Sequence, residues 1–196
     1  MNDILKHKRE FARDLQDGAY ELTPSGLLFP KIGATVAGQY FHAVNGGDLQ
    51  IDKNLVVDEG LAYLLGVSLG ATAKINTWYL ALWNTNVTPA SNWTAANFVA
   101  TAGEITSLTE GYSEAVRQTW TPGAISGGQI DNLSSLASFT IATATAVEVY
   151  GAALLSSNVR GGASGTLLSA GRFATPRTLY AADVFQIGYR LTLSGV

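Results

Sequence analysis

No cysteine occurs among the 196 residues. Disulfides, thiolate metal sites and cysteine nucleophiles are therefore excluded, and nothing records a redox compartment. Histidine is almost as scarce, with only His7 and His42. A zinc centre would have to rest mostly on carboxylates, which zinc sites seldom use alone. Charge is the third shortage. Charged side chains make up 14% of the chain, against about 25% in an ordinary soluble domain. The deficit is uneven: residues 1–17 crowd both signs together, whereas residues 61–196 hold six basic and six acidic residues.

Other absences narrow the classes further. The net charge of −3 and the lack of a basic stripe argue against nucleic acid as a partner. The longest apolar stretch, residues 61–69, is broken by Gly66 and Ser68. It is far shorter than the roughly 20 residues of a membrane span, so no membrane association is expected. The first 17 residues lack the apolar segment of a secretory leader, and a soluble, unexported protein is expected.

Against this scarcity, 47% of the residues are hydrophobic. A lone monomer needs a hydrated skin, and here Ser, Thr, Asn, Gly and Ala have to supply it. Removing water from hydroxyls and small residues costs less than removing it from ions. The composition points to a protein packed against neighbours.

Residues 2–16 favour a short, weakly amphipathic helix with Ile4, Phe11 and Leu15 on one face. It reads either as a solvated end or as an arm docking on a neighbour. Residues 18–38, with Pro24, Gly26, Pro30 and Gly33, read as an extended connector that carries Leu28 and Phe29. The chain thus divides into an N-terminal helix and extended arm, residues 1–37, and a body, residues 38–196. Within the body, Asn45-Gly46-Gly47-Asp48 supplies the turn of a hairpin between residues 39–44 and 49–55. Asp58 is placed to cap a helix over residues 59–69, its apolar face formed by Leu61, Leu64, Leu65 and Leu69.

Beyond Gly70 strand signals dominate. In residues 78–83 both alternating faces are apolar, so both should be covered. Residues 84–103 read as a polar loop with one helical turn near 95–98. Further strands are expected at 116–120, 137–143, 147–155 and 167–174, and a half-buried one carries Phe185, Ile187, Tyr189, Leu191 and Leu193. Short strands with turns between them imply a mainly β fold: a β-sandwich, jelly-roll-like, with one embedded helix.

Catalytic signals are sparse. His42 has no Gly-x-Ser-x-Gly elbow to accompany it. Asp58 and Glu59 are adjacent and suit a helix N-terminus, while Glu104, Glu110 and Glu114 read as solvated carboxylates, not as a glycosidase pair. Gly161-Gly162-Ala163-Ser164-Gly165 lacks the Lys-Ser/Thr of a phosphate loop. No enzyme activity, metal or cofactor is expected. Most of the large aromatic residues belong in a core. Trp93, in the polar loop, is the exception: it is positioned to anchor a partner or stack on a sugar, and a carbohydrate-binding module is one possible reading.

The run Asn54-Leu-Val-Val-Asp-Glu-Gly-Leu61, then Thr77-Trp-Tyr-Leu-Ala-Leu82, then Asn92-Trp-Thr-Ala-Ala-Asn-Phe98 with Glu104, resembles small virion structural proteins of tailed bacteriophages. Arg172-Phe173 and the closing alternating strand extend the resemblance, which spans residues 38–196. It is closest to proteins that decorate or cement the phage head, with tail, neck or fibre components as the alternative. The resemblance implies a non-enzymatic dimer or trimer bound to the major capsid protein. It also implies synthesis in the host cytoplasm and residence on the outer capsid surface of the particle. An adhesive lattice protein gains from symmetry, which multiplies weak contacts.

Overall fold

The computed structural model describes residues 13, 20–22, 27–30 and 33–195. Ile4, Phe11 and Leu15 lie outside them. Two compact units are present, residues 36–192 and the chain termini, 1–35 with 193–196. In the terminal unit, strands β1 (Tyr20–Leu22) and β2 (Leu28–Pro30) pair antiparallel, Tyr20 opposite Pro30 and Leu22 opposite Leu28. Leu28 and Phe29 therefore belong to a strand. The connector expected over residues 18–38 is corrected to two strands and the start of a third. Pro30, which has no N–H to donate, closes its strand as proline commonly does.

The larger unit is a sandwich of two sheets. Strand β3 (Ala34–Val44) turns at Asn45 and Gly46, both at positive φ, into β4 (Gln50–Lys53). Asn and Gly tolerate that conformation, which is why the turn was legible. One residue later the chain enters β5 (Leu55–Val56), which belongs to the other sheet. Helix α1 (Asp58–Leu69) follows, and then β6 (Trp78–Trp83). The segment after β6 holds a single helical turn, α2 (Ala95–Phe98), that runs into a π turn at Val99–Gly103. Thr94 and Asn97 exchange side-chain-to-backbone hydrogen bonds at its start, a capping box.

The remaining strands are β7 (Gly111–Tyr112), β8 (Gln118–Trp120), β9 (Gln129–Asp131), β10 (Ala137–Ala142), β11 (Val147–Leu155), β12 (Leu167–Leu179) and β13 (Val184–Gly195). The first sheet runs β4-β3-β13-β10-β7, with β9 also paired to β13, and the second runs β5-β12-β11-β6-β8. Among the described residues, β3–β4, β13–β10, β10–β7, β13–β9, β5–β12, β12–β11, β11–β6 and β6–β8 pair antiparallel.

Between the sheets lies the main core. Tyr40, Phe139, Phe185, Ile187 and Tyr189 meet Leu80, Leu82, Val149, Leu154 and Phe173. A second cluster covers the outer face of the second sheet, where Ala81, Trp83, Leu155 and Leu167 meet Trp93, Ala95, Phe98 and Ala102. The segment after β6 thus folds back as a cover, which is why both faces of β6 are apolar. A sheet buried on both sides needs continuous apolar strands in place of alternation.

Helix α1 departs from expectation at its cap and its face. Val57 holds the cap position without a side-chain bond, and Asp58 is not the cap. Gly60 is the buried residue of the helix, and Tyr63 and Leu64 pack against the core. Leu65 and Leu69, expected on the buried face, are 62% and 87% exposed. Glu59 ties the helix down, its Oε2 accepting from the backbone N–H groups of Ala95 at 2.8 Å and Leu167 at 2.7 Å.

Candidate functional site

His42 sits on β3, fully buried, with its ring stacked on Phe173 at 4.0 Å. The Arg177 Nε–H donates to Nδ1 at 3.2 Å. Arginine only donates, so Nδ1 is the acceptor and the ring proton is on Nε2, bonded to Asp52 Oδ2 at 2.7 Å. Asp52 Oδ1 accepts in turn from the Ala174 backbone N–H at 2.8 Å. Burial pulls the imidazole below its ordinary range; the Asp52 hydrogen bond opposes that, and the Arg177 charge adds to it. Both ring nitrogens are therefore engaged. The cluster joins β3, β4 and β12 as a polar clamp, and among the described residues no hydroxyl hydrogen-bonds the His42 ring.

Glu104 was expected in solvent; it is instead buried, 6% exposed. Arg117 grips it with Nε to Oε1 at 2.8 Å and Nη2 to Oε2 at 2.7 Å. The remaining capacity is filled locally: Arg117 also donates to the carbonyls of Ser157 and Gly162, and Gly161 N–H donates to Glu104. Arg160 donates to four carbonyls, those of Ile105, Ser107, Tyr112 and Glu114, and its guanidinium lies 3.4 Å over the Tyr112 ring. Burial is the largest influence on both partners, raising the Tyr112 phenol and lowering Arg160. In a body with so few ions, two arginines fasten the segment after the π turn to the loop between β11 and β12. Glu110 and Glu114 are spent on backbone, Glu110 accepting from the Ala144 N–H just after β10 and Glu114 from the Thr140 N–H within it. Among the described residues no three His, Asp or Glu side chains cluster in a way that could hold a metal ion.

Trp93 requires a correction. It is 4% exposed, and its ring meets Trp83 at 5.9 Å and Phe98 at 6.4 Å. A side chain enclosed this way presents no face to a sugar or a partner. The polar residues around it in sequence form the outside of the cover whose underside it fills.

Exposed apolar surface is found elsewhere. Leu61, Leu65 and Leu69 follow one another at four-residue spacing along the free flank of α1, and residues 61–73 contain no charged side chain. Leu61 also lines a groove of about 600 Å³ with Val36, Ala37, Leu55 and Val56. On the edge strand β4 and the turn before it, Ile51 and Leu49 are 58% and 48% exposed. The helical spacing of the leucines was legible in the sequence, but which of them the core would claim was not.

No protein-family model matches the chain, and no curated protein is similar enough to match it. Among the described residues, no helix is long and apolar enough to cross a membrane.

Proposed function

We propose that this protein is a non-enzymatic component of a larger particle, which self-associates and adheres to a protein lattice through uncharged apolar surface. The observation that carries the reading is the free flank of α1, where Leu65 and Leu69 stand in solvent on a segment without an ion. Burying a leucine contributes about 1.5–3 kcal/mol, and a flank without charges can be covered at little desolvation cost. The polar clusters support the same reading, because they are consumed in fastening loops. The resemblance to tailed-phage virion proteins gives the proposal its specific form: a decoration or cement protein, dimeric or trimeric, on the major capsid protein at the outer surface of the head.

Light scattering after gel filtration tests self-association. The full-length protein should elute as a dimer or trimer, and the double change Leu65→Lys, Leu69→Lys should shift it to a folded monomer. A wild-type monomer at all concentrations would defeat the self-association. Electron cryomicroscopy of the particle tests placement: many copies spread over the shell support decoration, and a few copies at one vertex assign a tail or neck instead.

A further inference from the structure

Five arginines lie in the sandwich, and four have acceptors. Arg117 holds Glu104, Arg160 holds four carbonyls, Arg177 donates to His42 and Arg190 bonds Asp131 at 2.9 Å. Arg172 is the fifth. Its Nε is buried without any hydrogen-bond partner, and the side chain makes no ion pair among the described residues.

The surroundings of Arg172 form a concavity. β5, the edge strand, is two residues long and pairs with β12 only through Ser169 and Ala170. Where it ends, the chain crosses at Asn54 to the other sheet, so the β5 pairing with β12 stops at Ala170, one residue before Gly171 and Arg172. A hollow of about 190 Å³ results, walled by Lys53, Asn54, Thr88, Pro89 and Arg172. Two of its walls are cationic and none is acidic. Lys53 too has no ion-pair partner among the described residues. Asp52, its neighbour in sequence, is committed to His42 and to the Ala174 N–H.

We propose that this hollow binds a carboxylate. A planar guanidinium matches a planar carboxylate through two parallel N–H···O bonds, and the Arg172 Nη groups, which are not enclosed as Nε is and have no acceptor among the described residues, are the donors that such a ligand would satisfy. The Lys53 ammonium would add a second positive charge, and Thr88 lies within the same wall. The volume suits one small carboxylate or the end of an acidic side chain from another chain.

Nuclear magnetic resonance of the ¹⁵N-labelled full-length protein tests the site. Sodium acetate should produce a saturating shift of the Arg172 Nε–H signal and of the Asn54 and Gly171 amides, with sodium chloride at equal ionic strength producing none. Arg172→Gln should abolish saturation. Lys53→Gln, a change at an exposed position, should leave the melting temperature unaltered and weaken acetate binding several-fold. Identical, non-saturating responses to acetate and chloride would overturn the proposal, as would full acetate affinity in Lys53→Gln together with Arg172→Gln. A parallel titration with N-acetyl-glutamate α-amide separates the sources. Saturation by both compounds assigns an acidic side chain, and saturation by acetate alone assigns a free carboxylate.

Discussion

Arg117 and Glu104 face each other through two parallel hydrogen bonds, and neither side chain reaches solvent. Such a pair gives little net stability over well-packed apolar residues, yet losing one partner strands an ion in the interior. Glu104→Ala or Arg117→Ala should each cost about 3–5 kcal/mol in urea unfolding. Replacing both by Leu and Met should cost less than either single change. A loss below about 1 kcal/mol in the single variants, within the range of exposed pairs, would show that water reaches the pair.

Acid should act through two groups whose losses begin at different pH. The folded His42 is held below the unfolded value of about 6.5, so over the interval beneath that value the unfolded chain binds the extra proton. Stability then falls as the pH drops from about 6.5 toward the folded value. Asp183 is lowered by the Tyr180 N–H first and by Asn45 second, so its contribution is lost only below about 3.9. Melting temperatures from pH 8 to 3 check both. His42→Gln should flatten the upper decline and Asp183→Asn the lower; parallel curves for wild type and variant would contradict the assignment.

Gly60 lies on the Leu168 backbone so closely that a Cβ would overlap the Leu168 carbonyl. Neither partner is a flexible side chain. Gly60→Ala should therefore destabilise by about 1–3 kcal/mol through overpacking, although alanine is the better helix former by about 1 kcal/mol. Thermal unfolding decides between these signs, and a stabilised variant would contradict the close seat of α1 on β12.

Trp93 fills the underside of the cover over the second sheet. Trp93→Ala should cost about 3–5 kcal/mol in chemical denaturation, as large aromatic truncations in cores do. A carbohydrate-contact role predicts the reverse: unchanged stability with loss of glycan binding on an array.

Much of the sandwich was legible in the residues. β11 and α2 occupy the expected positions, and the Asn45-Gly46 turn and the alternating β13 were visible in local pattern, because turn chemistry and periodicity act over a few residues. The short strands β7 and β9 carry too few residues to show a period. β1 and β2 lie where Pro24, Gly26 and Pro30 suggested an irregular path. Glu104 and Arg117 are thirteen positions apart, and nothing local pairs them. The clearest signal was indirect: Glu104 follows Ala102 and Gly103 and precedes Ile105, an apolar setting that disfavours a solvated acid.

The sequence by itself determined the class of fold and the poverty of ions, since both follow from composition and short-range pattern. Only the tertiary structure decided which apolar residues the core would claim and which charges it would enclose. Leu64 and Leu65 are adjacent and chemically identical, yet one packs inward and the other faces water. A helix can press only one side against a sheet. Which side is set by Gly60, where the missing side chain lets α1 approach β12, and by Glu59, which fixes the rotation from strands far away in sequence.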